Sequence, residues 1–151
     1  MVIDEILRRW ANEWFDSGVL QALDRAETAD DIGQHRWLLR LAGDEKEFIT
    51  MWLTLRQRTV HIEVQLMPAP EENIVDVYRF LLTKNADLYG LHVALGPENA
   101  IYLVGRVPAG EMSAARLDEL CGAAMIYVDE IFPTAMSMGL ASMYRRRRRT
   151  T

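Results

Sequence analysis

Residues 60–66 read VHIEVQL, and this stretch decides the fold because apolar and polar residues alternate along it without interruption. Successive side chains of a β-strand point to opposite faces of the sheet. The four aliphatic residues therefore share one face, and His61, Glu63 and Gln65 share the other. The pattern predicts a strand with one face in the core.

Two further strands are predicted on the N-terminal side of this stretch. The segment His35–Leu41 alternates in the same manner, and Gly43 and Asp44 supply a turn. The next segment, Phe48–Arg56, is apolar at both alternating sets of positions. That composition is typical of a central strand covered on both faces. The sequence thus predicts three consecutive strands.

A helix and a hairpin are predicted on the C-terminal side. Pro68 and Pro70 end the strand, and Asn73 is expected to cap the N-terminus of the helix. The apolar stripe of this helix consists of Ile74, Val77, Tyr78, Leu81 and Leu82. Two β-rich segments, Leu88–Leu95 and Ala100–Val107, then flank a Gly-Pro-Glu-Asn turn.

Helices are predicted at both ends of the chain. Apolar residues at offsets of three and four place a helix at the N-terminus, which Gly18 divides, and Val19, Leu20 and Leu23 are expected to form a second short helix. At the other end, Ser113 is expected to cap a long helix that Pro133 should kink. The fold expected is α+β in the order α-βββ-α-ββ-α, with helices packed on an antiparallel-rich sheet.

Composition limits the class of protein. The 151 residues are 50% apolar and 26% charged, as in an ordinary globular domain. The longest apolar runs fall far short of the roughly 20 residues that a membrane span needs. The N-terminus does not resemble a secretory signal, and the single cysteine, Cys121, permits no intrachain disulfide. These features predict one cytoplasmic domain over residues 1–144.

Charge is distributed unevenly along the chain. The formal net charge is −5, and Arg145, Arg146, Arg147, Arg148 and Arg149 contribute +5, so that residues 1–144 carry −10. An acidic body repels phosphate backbones, and nucleic-acid binding by the domain is disfavoured. We expect residues 145–151 to form a basic, disordered tail. Its arginines are the candidates for contact with a polyanion such as nucleic acid or anionic lipid.

No catalytic or metal-binding pattern stands out in the sequence. His35, His61 and His92 lack the spacing of metal ligands, and Cys121 lies on the apolar stripe of the last helix, as a core residue would. We therefore expect no catalytic residues, no metal and no cofactor. The alternative is an enzyme whose site is assembled from scattered polar residues, for which His61, Glu63 and Arg106 are the best candidates.

Protein binding is the function that remains. Methionines concentrate in the C-terminal third of the chain, and methionine-rich surfaces suit adaptable binding. The candidate protein-binding residues are apolar residues outside the clearest core stripes, namely Phe48, Trp52, Met136, Met138 and Met143. A homodimer is also expected.

Three segments of the chain resemble a known bacterial family. They are Asn85-Ala86-Asp87-Leu88-Tyr89-Gly90, residues 101–108 (IYLVGRVP) and Asp129-Glu130-Ile131-Phe132-Pro133. In this order they are similar to the YbjN family, most strongly over about residues 73–140. The resemblance implies a fold like that of type III secretion chaperones and a role as a sensory-transduction regulator. It implies no catalytic residues and favours a non-enzymatic, chaperone-like adaptor or regulator.

Overall fold

The alternating stretch around Ile62 forms a strand near the middle of an antiparallel sheet. In this computed structural model, which describes residues 2–26 and 35–144, six strands pair in the order β1-β2-β3-β4-β6-β5. The strands are β1 (Leu20–Ala26), β2 (His35–Ala42), β3 (Phe48–Leu55), β4 (Thr59–Met67), β5 (His92–Leu95) and β6 (Ile101–Pro108). The helices are α1 (Val2–Asp16), α2 (Ile74–Asn85) and α3 (Ala114–Gly139). The predicted α+β class is confirmed.

The core lies between one face of the sheet and the helices. The four aliphatic residues of the alternating stretch are all buried, as predicted. The aligned residues of the neighbouring strands share this face, which we call the inner face; Leu53 lies opposite Ile62, and Leu103 lies opposite Val64. Buried residues of all the described helices join the same apolar cluster. Burial of this continuous apolar surface is the main force holding the helices on the sheet.

Indole hydrogen bonds fix α1 within this layer. Trp10 and Trp14 lie one turn apart on α1, and both donate from Nε1 to Oδ1 of Asp118 on α3, each at 2.8 Å. Trp37 of β2 donates in turn to Oδ1 of Asp4 at 2.6 Å. Charge-assisted hydrogen bonds of this kind are stronger than neutral ones. They hold α1 against both α3 and the sheet.

The short helix predicted from Val19, Leu20 and Leu23 is wrong, because these residues lie at and just before strand β1. The pairing of β1 with β2 shifts between Leu20 and Ala22, where a β-bulge adds one residue. Leu20 therefore lies opposite Leu41, and Leu23 lies opposite Leu39. A spacing of three, which imitates a helical period, puts both leucines on the inner face only because of the bulge.

The N-termini of α2 and α3 are capped differently. Ser113 caps α3 as predicted, accepting a hydrogen bond from the backbone N–H of Arg116 at 3.1 Å. Asn73, by contrast, adopts a left-handed conformation with φ of 50° and makes no side-chain cap. Its side-chain amide donates instead to the carbonyl oxygen of Met138 at 2.9 Å. Asn73 therefore links α2 to the end of α3, which continues through Pro133 to Gly139.

Candidate functional site

The sheet has one face on which no described helix packs. On every strand the residues that alternate with the core residues point to this side, which we call the helix-free face. Antiparallel pairing aligns them in rows, one of which runs from Leu38 through Trp52, Glu63 and Val104 to His92. Most side chains on this face are half-buried or exposed. The sequence predicted that β3 is covered on both faces; no described helix covers it here, but Thr54 is buried and Trp52 half-buried on this face.

The centre of the helix-free face is apolar and aromatic. Trp52 is half-buried between its cross-strand neighbours Leu38 and Glu63. The guanidinium carbon of Arg36 lies over the indole, 3.9 Å from the ring centroid, and Arg36 also pairs with Glu63 at 4.0 Å. Such stacking holds both planar groups in place. The indole of Trp52, the side chain of Leu38 and the guanidinium of Arg36 together form a fixed surface, which we call the Trp52 platform.

Within residues 2–26 and 35–144, arginines outnumber carboxylates on the helix-free face, although the chain as a whole is acidic. Its arginines on the strands and the β3–β4 turn are Arg36, Arg40, Arg56 and Arg106, against the carboxylates Asp24 and Glu63. Arg40 lies over the Phe48 ring at 5.0 Å from its centroid. Because the net charge of the chain is −5, this surface stands out electrostatically from the rest of the protein.

Three polar residues singled out by the sequence meet at one end of this face. His61 and Arg106 are direct cross-strand partners, and Glu63 is two residues further along β4. Together with Arg56 they line a half-open hollow of about 300 Å³, which we call the basic depression. Burial lowers the pKa of His61, and the positive charges of Arg56 and Arg106 lower it further. His61 is therefore mainly neutral near pH 7 and can donate a hydrogen bond from one ring nitrogen and accept one at the other.

A second apolar surface lies on the other side of the molecule. Val75 and Leu82 of α2 are 67% and 70% exposed, and Tyr78 lies between them on the same helical face. Beside them α2 and β5 form an apolar groove of about 190 Å³, to which β5 contributes Val93 and Leu95. We call this region the α2–β5 surface. Leu82 belongs to the apolar stripe predicted for this helix, but α2 buries Val77 and Leu81 and leaves Leu82 in solvent.

The structure separates the residues predicted to bind a protein. Phe48 and Trp52 lie on the helix-free face, whereas Met138 lies on α3, which packs on the opposite face, and Met143 follows α3. Met136 is only 1% exposed and is part of the core, because the stripe of α3 that meets the sheet includes it. It is therefore not accessible to a partner in this structure. Arg145 to Arg149 lie outside the described residues.

Cys121 is buried in the core, as predicted, and is not paired in a disulfide. Burial raises the pKa of its thiol, and the nearby charge of Asp118 raises it further. Within residues 2–26 and 35–144, no three His, Cys, Asp or Glu side chains cluster as metal ligands would. In the same part of the chain, none of the helices has the length and apolar character of a bilayer-crossing segment.

Sequence reasoning missed several residues of both surfaces. Leu38 and Val104 lie in the same cross-strand row as Trp52, and they alternate with core residues along their strands, so their position on the helix-free face was predictable from the pattern. The exposure of Leu82 was not predictable from the pattern, because the apolar stripe of α2 is wider than the surface that α3 and β5 cover. An apolar stripe shows which side of a helix faces the core, but it does not show how many of its residues are buried.

Comparison with known proteins finds one family model and several mycobacterial relatives that resemble this chain. The family model YbjN, described as "Putative bacterial sensory transduction regulator", matches residues 17–135. Uncharacterized proteins of Mycobacterium tuberculosis and Mycobacterium bovis are each 33% identical over 109 residues, and one of Mycobacterium leprae is 30% identical over 110. These matches cover 72–73% of this chain and 60% of each relative. The chain thus spans less than two thirds of the length of these relatives.

Proposed function

This chain belongs to the YbjN family, and from that premise we propose that it is a non-enzymatic protein-binding module, a chaperone-like adaptor or regulator acting in the cytoplasm. The observation that carries the proposal is the Trp52 platform on the helix-free face. Accessible aromatic and aliphatic side chains grouped together and rimmed by polar residues are typical of interaction sites. Trp, Tyr and Arg are also the residue types that dominate binding energy at interfaces.

The partner that this face fits is an acidic polypeptide segment carrying apolar side chains. Among the described residues of the face, arginines outnumber carboxylates. An acidic segment is therefore attracted electrostatically and associates faster than a neutral one. Apolar side chains of the segment would cover Trp52 and Phe48, where water contact is unfavourable. The stacked position of Arg36 favours binding because the platform loses little side-chain entropy when it is covered.

Truncation of the two aromatic side chains on the helix-free face tests this function. We expect Trp52→Ala and Phe48→Ala each to weaken binding of the partner at least tenfold, which corresponds to about 1.4 kcal/mol. The partner is first identified by affinity purification from the native host. Its binding segment is then titrated into purified variants by calorimetry, with circular dichroism to show that each variant is folded.

The matched control is Tyr89→Ala, which removes an aromatic side chain that is 83% exposed and lies outside the helix-free face. It should bind as the wild type does. The alternative function is binding of a polyanion by Arg145 to Arg149, which would show steep salt dependence. A truncated chain lacking residues 145–151 distinguishes it from protein binding at the platform. If only the truncation lost binding, the platform would be the wrong site.

The predicted homodimer is best accommodated by the α2–β5 surface. β5 ends the sheet, and in the described part of the chain it pairs only with β6, so its outer edge is open to a second strand. Asp76 and Arg79 on α2 carry opposite charges beside the exposed aliphatic residues. A second copy presents the same mixture and is therefore compatible, whereas two copies of the basic helix-free face would repel each other.

A charge placed on the α2–β5 surface should dissociate this dimer. Because each substitution occurs twice in a symmetric interface, Leu82→Glu is expected to raise the dimer dissociation constant at least a hundredfold, through like-charge repulsion and loss of apolar contact. Sedimentation equilibrium measures the change. Ile126→Glu, at an exposed position of α3, introduces the same charge as a control. A wild-type chain that stays monomeric at high micromolar concentration would contradict the dimer.

A further inference from the structure

The basic depression brings two guanidinium groups and an imidazole together with a single carboxylate in its described lining. In residues 2–26 and 35–144, neither Arg56 nor Arg106 has a carboxylate within ion-pair distance. The lone acid in the lining, Glu63, is already paired with Arg36 at 4.0 Å. His61 lines the same hollow and adds a further hydrogen-bonding group. The depression therefore presents two exposed guanidinium groups and a half-buried imidazole that are available to an anion.

We propose that the basic depression binds a phosphate group. Guanidinium groups present a rigid fork of donors that matches the oxygens of phosphate, and two of them with an imidazole can contact several oxygens of one dianion. A hollow of about 300 Å³ has room for the phosphate and a small attached group. It is open on one side, so the rest of the ligand remains in water. This site does not depend on the protein partner proposed above.

The lining favours binding over catalysis. Apart from the charged residues and His61, it consists of Ile62, Val104 and Gly105. The lining residues that the structure describes include no hydroxyl or thiol to act as a nucleophile. The three residues considered as scattered ingredients of an enzyme are thus brought together, with His61 and Arg106 as contacts for an anion and Glu63 paired with Arg36.

His61 can report on occupancy of the site. The charged groups around it are Arg56 and Arg106, which lower its pKa, and Glu63, which raises it, with Arg36 beyond Glu63 on β2. A phosphate bound in the hollow would place negative charge beside His61. The pKa of His61 should therefore rise when the site is filled, since the charged imidazole is then stabilised.

The test is a nuclear magnetic resonance titration with inorganic phosphate and with phenyl phosphate at constant ionic strength, using benzoate and sodium chloride for comparison. We expect saturable shifts at His61 and Arg106 with both phosphates, and a rise in the pKa of His61. Tighter binding of phenyl phosphate would identify a phosphate monoester as the source of the group, and equal binding would identify free phosphate. Benzoate should bind at least tenfold more weakly.

Variants separate the site from general electrostatics. Arg56→Ala and Arg106→Ala should each weaken phosphate binding at least tenfold, and both are surface changes whose folding is checked in the same spectra. Arg79→Ala removes an equal charge on α2 and should bind as the wild type does. Shifts that chloride reproduces at equal ionic strength, or unchanged affinity in both Arg56 and Arg106 variants, would overturn the proposal.

Discussion

Replacing Ile62 by alanine is expected to lower the free energy of unfolding by about 2–5 kcal/mol. Ile62 is completely buried on the inner face of β4, with Leu53 of β3 and Gly105 of β6 as its cross-strand partners. The loss combines the transfer free energy of the removed methyl and methylene groups with the cost of the cavity that they leave. Urea denaturation measures this loss of stability. The slope of the unfolding free energy against urea concentration should be the same as in the wild type.

Ile126 offers a matched control for this experiment. It is 57% exposed on α3, so Ile126→Ala removes the same atoms without opening a cavity and should change the stability by no more than about 0.5 kcal/mol. The comparison also tests the strand register. A slip of one residue would move Ile62 to the helix-free face, and the two variants would then have similar stability.

The parts of the fold that follow from local patterns were predictable from the sequence. Strand β4 has strict alternation, and α3 has an N-cap serine and a long apolar stripe, so each signal is contained within the element. Strand β1 was not predictable, because its bulge depends on pairing with β2 and changes which leucines share a face. The link from Trp10 and Trp14 to Asp118 spans more than a hundred residues, and no local period indicates it.

The candidate site was predictable in part for a related reason. Alternation placed His61 and Glu63 on the polar face of β4, but their meeting with Arg106 depends on the pairing of β4 with β6 rather than with a sequence neighbour. Phe48 and Trp52 were chosen as apolar residues outside the core stripes, and the structure leaves them accessible. Met136 met the same criterion and is buried, because α3 covers the sheet with a wider surface than its clearest stripe.

Cys121 is expected to resist thiol reagents in the native state. Only the thiolate is nucleophilic, and burial together with the charge of Asp118 raises the pKa of this thiol, so the reactive form is scarce. The side chain is also sealed from solvent between the helices and the sheet. At pH 8 we expect labelling by a disulfide reagent to be at least about a hundredfold slower than that of an exposed thiol, because it has to await opening of the core.

Ser137→Cys, placed at an exposed position of α3 in a chain that also carries Cys121→Ala, supplies the exposed thiol for this comparison. Because the folded-state pKa of Cys121 is raised, its contribution to stability is intact below the unfolded-state pKa of about 8.5 and is lost as the pH rises above it. The unfolded chain then ionises while the folded chain cannot. Stability of the wild type should fall above pH 8.5 by up to about 1.4 kcal/mol per pH unit relative to Cys121→Ala. Rapid labelling of native Cys121, or identical pH profiles for the two chains, would mean that this thiol is not sealed within the core. The helix layer would then open more readily than its hydrogen bonds to Asp118 imply.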